Sequence, residues 1–439
     1  MPRRLFRHKS TKKNLLLWGL VFAVLFVATG LLCARYGAWE YYTRSFAPVL
    51  LCVCVFAVVA ATQRSGGLRP LQKAEGQLLL MIPVLLLVFG AAAQAVWTRS
   101  WVEHCVLYPS KWPIPADRQD TWVIFGAFAL AGVASLALAA AVLKGRIQQK
   151  SIWLIAFLGF AMAGAWIPLV VNIPAVYDIN KITYVIGLSI LLNLPKLMEK
   201  EKTKLWLCVG YTLMFMTPLV LKTESEFGSL IITGVAFFVM LITYFRSRKR
   251  VLLFFGIAAV ALVLLVFGVA RNKFEKRFDE WLQFVPLAQN GDVRQTYSGM
   301  LGVLLGGRRG GDPRYLIYIP VGDNDMIGAV LIQLFGSLVV LLLMILPIAL
   351  LVFMGYRRAM KETDHLQRGI AFGFTTTLCV QSLLMWAGNL ALLPLSGNVQ
   401  PFLSSGGGAL CASFFMVDVL FLLYRKQYRK EYLEGRRGK

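Results

Sequence analysis

The segment PLSGNVQPFLSSGGG at residues 394–408 lies between two long apolar runs near the end of the chain and contains two prolines, four glycines and no charged residue. Proline and glycine interrupt helices, so this segment predicts a break between two helices. One interpretation is a surface turn. The other is a re-entrant loop that lines a cavity, for which the apolar residues Val399, Pro401, Phe402 and Leu403 are suited. The residue types by themselves leave both interpretations open.

The composition is typical of a membrane protein. Hydrophobic residues make up 58% of the 439 residues and the mean hydropathy is +0.65, whereas soluble domains contain about 45–50% apolar residues. The chain repeats apolar runs of roughly the 17–25 residues that a membrane-spanning helix needs. It is therefore predicted to be an all-α polytopic membrane protein with about 12 transmembrane helices. The predicted spans are 14–34, 47–62, 77–97, 121–143, 152–171, 179–195, 205–221, 228–245, 251–270, 326–354, 369–391 and 409–424.

The net charge of +24 is compatible with nucleic-acid binding, but the positions of the basic residues argue against it. Lys and Arg concentrate in alternate loops, including RSRKR at 246–250 and the tail from residue 425. By the positive-inside rule, these loops and both termini are expected to be cytoplasmic. The basic segments are then expected to contact anionic lipid headgroups rather than nucleic acid.

The cysteines and histidines indicate neither a disulfide framework nor a zinc site. The seven cysteines are scattered, mostly within predicted spans, and no pair has the spacing of metal ligands. The three histidines do not cluster.

Two long loops are predicted on the outer face, at 98–120 and 271–325. Because a loop of that length is usually functional, we expect the chemistry on this face. The longer loop begins with RNKFEKRFDEWLQFVP, which predicts an amphipathic helix at the membrane surface. The stretch YSGMLGVLLGG at 297–307 is too short to span, so it is expected to re-enter the membrane or pack against the bundle.

The segment around residue 400 carries a resemblance to a known family. LLPLSGNVQPFLSSGGGAL resembles the hallmark of the SEDS family (FtsW, RodA and SpoVE), which reads LLPxTGxxLPFxSYGGSS. The departures from it include Ser396 for Thr, Gln400 for Leu and Ser405 for Tyr. The matching residues are Pro394, Gly397, Pro401, Phe402, Ser404, Gly406 and Gly407.

Three further segments resemble SEDS motifs in the family's order. IPVGDNDMIGAVLIQLFGS is similar to LPExHTDFIFAxIGEELGxxG, matching at Pro320 and Asp325 but with Gln333 where paired glutamates stand. TESEFGSLII is similar to QPDLGTALV and supplies Glu226 and Gly228. VYDINKI is similar to PSELAKL, with Asp178 and Lys181 at the positions of its Glu and Lys.

The resemblance covers roughly residues 150–425 and implies a domain organisation. Residues 1–13 form a basic cytoplasmic N-terminus and 14–76 contain two additional transmembrane helices. Residues 77–424 form the ten-helix SEDS-like core with the extracytoplasmic loop 271–325, and 425–439 form a basic cytoplasmic tail.

The resemblance implies a peptidoglycan glycosyltransferase in the bacterial cytoplasmic membrane. Such enzymes polymerise lipid II, an undecaprenyl-diphosphate-linked sugar, during division, elongation or sporulation, usually with a class B penicillin-binding protein. The family's essential aspartate corresponds best to Asp292, although the surrounding motif is contracted; Asp279 and Asp312 are alternatives in the same loop. Arg314 is a further candidate for stabilising the diphosphate. The expected substrate-binding residues are Asp178, Lys181, Arg294, Gln295, Arg308, Arg309 and Asp325.

No cofactor is evident in the sequence. A divalent cation that bridges carboxylates and diphosphate is chemically reasonable, but no ligand set for one is apparent. Two other functions remain open. One is a flippase or transporter of a polyprenyl-linked precursor; the other is a catalytically silent scaffold for a transpeptidase.

Overall fold

The computed structural model describes residues 2–43, 70–107, 166, 174–193, 201–221, 227–245, 247–269, 271–283 and 294–437. Every regular element in these ranges is helical. A short 3-10 helix covers Pro313–Tyr318. The longer helices are α1 (Pro2–Arg35), α2 (Pro70–Leu107), α3 (Pro174–Asn193), α4 (Glu201–Leu221), α5 (Phe227–Tyr244), α6 (Arg248–Val269), α7 (Arg271–Leu282), α8 (Arg294–Gly306), α9 (Ile327–Phe335), α10 (Ser337–Lys361), α11 (His365–Asn389) and α12 (Gly407–Arg437).

Eight helices within the described residues are long and apolar enough to cross a membrane, which confirms a polytopic membrane protein. They are α1, α2, α4, α5, α6, α10, α11 and α12. Residues 179–193 of the expected span at 179–195 lie in α3. The expected spans at 47–62 and 121–143, and all but one residue of 152–171, lie outside the described residues.

The structure departs from the expected continuous span at 326–354. Gly336 takes φ 81° and ψ 155° and separates α9 from α10. This backbone conformation lies in the left-handed half of φ space, which only glycine adopts without strain. The span therefore begins at Ser337 and runs to Lys361, through a short π-helical stretch at Leu341–Ile345.

The described helices fall into two compact units. The first contains α1, α2, most of α8, α9, the first part of α10, and α12. The second contains α3 to α7, the end of α10, and α11. Within the segment 394–406, which joins α11 to α12, the division falls between Val399 and Gln400.

In the first unit, α2 is the central helix. Its apolar residues are almost completely buried along the candidate span Glu75–Glu103. Helix α1 packs along it, and the thiol of Cys33 lies 3.8 Å from the carbonyl oxygen of Ala92. The opposite face of α1 is exposed, as at Val24 and Leu31. An exposed apolar face on a candidate span is suited to contact with lipid.

In the second unit, α11 packs closely against α5 and α3. Gly373 makes this approach feasible, since a Cβ atom there would lie 2.3 Å from a methyl of Val185 and 2.9 Å from the sulfur of Met240. A second cluster of buried side chains joins α3, α4, α5 and α6 through Tyr177, Met216, Leu219, Val220, Leu230 and Val266. Small residues that admit close helix contact are typical of membrane bundles.

Gly90 provides a test of the packing around α2. A Cβ atom at this position would lie 2.6 Å from the carbonyl oxygen and 2.9 Å from the Cα of Leu403. Because both atoms are backbone, Gly90→Ala is expected to lower the free energy of unfolding by about 1–3 kcal/mol. Thermal unfolding of the purified protein in detergent measures the change.

The control is Gly256→Ala in α6, where nothing lies within 4 Å of the added methyl. This control is expected to be neutral or slightly stabilising, because alanine favours helix more than glycine does. Equal melting temperatures for the two variants would contradict the close contact between α2 and Leu403.

Candidate functional site

In the segment between α11 and α12, residues 398–404 form a buried, non-helical stretch rather than a surface turn. Phe402 and Leu403 are almost fully buried, and Gln400 and Ser404 are buried with them. The side chain of Gln94 in α2 donates a hydrogen bond of 2.8 Å to the carbonyl oxygen of Leu403. This contact supplies a partner for a backbone group that could not reach water. The structure therefore favours the interpretation of a loop packed into the bundle.

The loop is joined to the turn at residues 319–326. The hydroxyl of Ser404 donates to the carbonyl oxygen of Asn324 at 2.9 Å and accepts from the amide of Gln400 at the same distance. The amide of Ser405 donates to the carbonyl oxygen of Asp323 at 2.9 Å, and its hydroxyl donates to the Asp323 carboxylate at 3.2 Å. The hallmark segment and the segment containing Asp325 are thus brought together in the first unit.

Helix α2 is the third side of this arrangement. The indole of Trp97 donates to the carbonyl oxygen of Ile319 at 3.1 Å. Gly322 packs against the same indole, where a Cβ atom would lie only 2.4 Å from the ring nitrogen. Hydrogen bonds from the buried side chains of Gln94, Trp97 and Ser404 therefore hold together three segments that are remote in sequence.

Phe402 has a strained backbone, as do Val321 and Ala391, which also take a positive φ. The φ of Phe402, 67°, is in the left-handed region, which a bulky L-residue adopts at a cost of about 1–3 kcal/mol. The ring lies 5.2 Å from that of Phe414 in an edge-to-face arrangement. This packing and the hydrogen bonds on either side of Phe402 hold the strained conformation.

Several buried oxygens at this junction make no hydrogen bond. They are Oε1 of Gln94, Oγ1 of Thr98 and Oδ1 of Asn324. Buried acceptors of this kind need a donor from water or a ligand. The junction therefore has the chemistry to accept hydrogen bonds from hydroxyl or amide groups.

Asp312 has a structural role in the long loop. Its carboxylate caps the 3-10 helix by accepting from the Arg314 amide at 3.0 Å, and it also accepts from Arg314 Nε at 2.7 Å. The Arg314 hydrogen bonds hold the pKa of Asp312 below its usual value. A lowered pKa makes Asp312 a weak proton acceptor, which argues against it as the general base.

Gln333 stands where the resemblance predicts paired glutamates, and its side-chain amide forms a hydrogen bond to the long loop. Its side chain is completely buried and donates to the carbonyl oxygen of Asp312 at 3.1 Å. Its Oε1 lies 3.0 Å from where a Cβ of Gly302 would stand. Helix α8, which contains the predicted stretch YSGMLGVLLGG, packs on α9 through Gly302 and Gly306. This confirms that the stretch packs against the bundle.

In the second unit, Asp178 and Lys181 form the expected pair. The Lys181 ammonium lies 2.8 Å from the Asp178 carboxylate, and the two side chains are 6% and 17% exposed, respectively. Charges that enter a membrane span usually pair or line a cavity. Their burial distinguishes this pair from the exposed pairs on α7, such as Arg271 with Glu275.

The same unit brings two other motifs together. A Cβ atom on Gly228 would lie 1.6 Å from the side-chain amide nitrogen of Asn398, so a larger residue at this motif position would displace the Asn398 side chain. The Gln381 side chain donates to the carbonyl oxygen of Val399 at 2.9 Å. The part of the loop up to Val399 is thus held by contacts within the second unit. The part from Gln400 onward is held by contacts within the first unit.

The predicted amphipathic helix forms α7. Its Trp281 donates to the carbonyl oxygen of Ala391 at 2.8 Å, which attaches α7 to the end of α11. Asp279 lies on α7 with its side chain exposed to solvent. This position gives Asp279 no enclosed environment for catalysis.

Other predicted residues are placed as follows. Arg308 and Arg309 are exposed after α8, and Gln295 and Asp325 are half-buried. The predicted base Asp292 lies outside the described residues, as does Glu226; Arg294 is described only as the first residue of α8. Within the described ranges, no group of three or more His, Cys, Asp or Glu side chains is placed to hold a metal ion.

Sequence reasoning missed Gln94 and Gln381, the two amides that hold the loop. Both lie inside apolar helices and are fully buried. A polar residue in the middle of an apolar span is the signal that would have identified them.

The Asp178–Lys181 pair provides a second test. Lys181→Met leaves a largely buried carboxylate without its cation and is expected to destabilise the protein by about 3 kcal/mol. The double variant Asp178→Asn/Lys181→Met removes both charges and is expected to recover much of this loss. Thermal unfolding in detergent measures both, and the Lys276→Met variant on the exposed face of α7 is the control. Equal loss in the single and double variants would show that the two charges are not coupled.

Comparison of the sequence with known proteins identifies the family of this chain. The sequence model of the cell cycle protein family FtsW/RodA/SpoVE matches residues 77–429. The chain is 27% identical over 214 residues to a "Probable peptidoglycan glycosyltransferase FtsW" of Geobacter sulfurreducens, covering 47% of this chain and 56% of that protein. It is 25% identical over 207 residues to a "Peptidoglycan glycosyltransferase RodA" of Mycobacterium tuberculosis, covering 46% and 42%.

The matched part of the chain thus spans about half the length of these curated relatives. A chain from a solved structure described as a peptidoglycan synthase complex aligns with 87% of this chain and 98% of its own length, with a TM-score of 0.46 and 17% identity. The family model covers the helices and loops, from α2 to α12, that bring the motif segments together in each of the two units. The chain belongs to the FtsW/RodA/SpoVE family of cell cycle proteins.

Proposed function

We propose that this protein is a peptidoglycan glycosyltransferase that polymerises lipid II at the outer face of the bacterial cytoplasmic membrane. The observation that carries the proposal is the family match over residues 77–429, a range that contains every SEDS-like motif segment described above. The relatives that it resembles are named as peptidoglycan glycosyltransferases. Eight candidate spans agree with a multi-pass membrane enzyme acting on a lipid-linked substrate.

The reaction needs a base, a site for the leaving diphosphate and a place for each lipid tail. We assign the base to Asp292, whose carboxylate would take the proton from the attacking sugar hydroxyl as that oxygen bonds to the anomeric carbon of the donor. The bond from this carbon to the diphosphate oxygen breaks, and the diphosphate leaves with its negative charge. Cationic side chains stabilise that charge, for which Arg294, Arg308 and Arg309 are suited.

The other predicted residues would contact the sugar and peptide parts of the substrate. Asp325 lies beside the Ser404–Ser405 junction, where buried acceptors lack donors. Gln295 follows Arg294 in α8. The buried Asp178–Lys181 pair would contact the substrate from the second unit, since charges that enter a span usually pair or line a cavity. We propose a class B penicillin-binding protein as the partner and a cytoplasmic location for both termini. A divalent cation on the diphosphate would help to neutralise its charge.

Polymerisation of lipid II by the purified protein tests the base assignment. Asp292→Ala is expected to reduce glycan formation at least about a hundredfold, since general-base catalysis contributes that much or more. Asp312→Asn is the matched control in the same loop, because it retains the helix cap and the base assignment gives it no role. Product chains are measured by gel electrophoresis of labelled lipid II.

Normal activity of Asp292→Ala would overturn the assignment, and loss of activity in Asp312→Asn would point to Asp312 instead. The same assay distinguishes the other functions. Transfer of lipid II across liposome membranes without glycan product would indicate a flippase. Binding of the transpeptidase without turnover of either kind would indicate a scaffold.

A further inference from the structure

Helix α1 ends in a turn whose last carbonyl group is capped from another helix. The chain turns at Gly37, which has φ 64°. The amide of Ala38 donates to the carbonyl oxygen of Cys33 at 2.7 Å, and the amide of Gly37 donates to that of Ala34 at 3.0 Å. These two bonds form the Schellman motif, which satisfies two of the last carbonyl groups of a helix. The carbonyl group of Tyr36, which lies between these residues and the turn, needs a donor from elsewhere.

Arg99 of α2 supplies this donor. Its Nη1 donates to the carbonyl oxygen of Tyr36, where the guanidinium also meets the negative end of the α1 dipole. The Nε of Arg99 donates to the Glu103 carboxylate at 3.0 Å, which orients the guanidinium. A Cβ atom on Gly37 would stand 1.4 Å from Nη1 of Arg99, so a side chain there would displace the guanidinium. Arg99 and Gly37 thus form a joint between α1 and α2.

The joint attaches a part of the chain that the family match does not include. We call residues 2–43 the N-terminal module; the family model begins at residue 77. The module is folded back on itself, since the hydroxyl groups of Thr29 and Tyr42 lie 2.7 Å apart. Helix α1 also packs along α2. The module is therefore a compact attachment to the first helix of the matched region.

Helix α2 has the N-terminal module on one side and the motif segments on the other. Ala92 and Arg99, which contact α1, are seven residues apart and so lie on the same side of the helix. Gln94 and Trp97, which donate to loop carbonyl groups, lie roughly 200° and 140° around the helix axis from Ala92. The contacts of α2 with the module and with the loops are therefore on opposite faces of one helix.

We propose that Arg99 is a positioning residue, through which the N-terminal module holds α2 where Gln94 and Trp97 reach the two motif segments, residues 400–406 and 319–326. Both donors lie within five residues of Arg99, so freedom gained by α2 at the joint is transmitted to both hydrogen bonds. The inference goes beyond the proposed function, and only its consequence for glycan formation rests on that function.

Hydrogen–deuterium exchange of the full-length protein in detergent tests the proposal without a substrate. The amides of Ser405 and Met326 donate to the carbonyl oxygens of Asp323 and Val321, so their exchange reports on the two motif segments. Arg99→Met is expected to speed this exchange at least about fivefold, because it removes a charge-assisted hydrogen bond that holds α2. Exchange in α11, which belongs to the second unit, is expected to stay unchanged.

Two variants control for the loss of charge. Arg271→Met removes the cation of an exposed pair with Glu275 on α7, at the same four-residue spacing, and is expected to leave both motif segments unchanged. Glu103→Gln retains the bond from Arg99 to Tyr36, so exchange close to that of the parent protein is expected. Arg99→Lys retains a cationic donor and is expected to recover part of the protection.

A second pair of variants breaks the joint from the side of the module. Gly37→Ala leaves Arg99 in the sequence but displaces its guanidinium, so the same increase in exchange is expected. Gly19→Ala adds the same methyl group to α1 where nothing lies within 4 Å, and is expected to change neither segment. Gly37→Ala keeps the proposal testable if Arg99→Met does not fold.

Exchange like that of the parent protein in both Arg99→Met and Gly37→Ala would overturn the proposal. An equal increase in α11 would also overturn it, because the joint would then support only the overall stability. Where the parent protein makes glycan, Arg99→Met is expected to make it at least about tenfold more slowly, since a small displacement of a site lowers the rate. A parent protein that makes no glycan, but whose motif segments respond to both variants, contradicts the enzyme and leaves the role of Arg99 standing.

Discussion

The hydrogen bond from Gln94 to the carbonyl oxygen of Leu403 is the contact on which the first unit depends. A non-helical segment in a membrane protein exposes backbone groups that lipid cannot satisfy, so protein donors must reach them. Gln94 does so from α2, and Gly90, one turn earlier, lets the helix approach the loop backbone closely enough. With Leu403 fixed, the adjacent Ser404 and Ser405 meet the turn that contains Asp323 and Asn324. One buried amide therefore positions both of the motif segments in this unit.

Glycine also helps to position the non-helical segments at several other places, because it has no Cβ atom and tolerates a positive φ. At Gly228 and Gly306 a methyl group would overlap a side chain or a backbone atom, so the absence of Cβ allows segments to touch. At Gly310 and Gly336 the backbone also takes a positive φ that other residues avoid. These contacts make the non-helical parts rigid, although they contain little regular structure. A rigid site loses less entropy when it binds its substrate.

The structure also shows that three aspartates of the same chain lie in different environments. Asp312 caps a helix and pairs with Arg314, which lowers its pKa and weakens it as a base. Asp279 is exposed on an amphipathic helix. Asp178 is largely buried beside Lys181. Their different environments give the three aspartates different roles, and only the environment separates them.

The sequence by itself determined the class of the protein, because apolar runs of membrane length and the alternation of basic loops depend on local composition. It also predicted the break around Pro401, the helix α7 and the pairing of Asp178 with Lys181, since these depend on neighbours within a few residues. Only the tertiary structure decided that residues 398–404 are buried, that the predicted span at 326–354 is divided at Gly336, and that Gln94 and Gln333 hold distant backbone carbonyls. These features join residues up to 309 positions apart, and no periodicity or spacing in the chain encodes which buried donor meets which carbonyl.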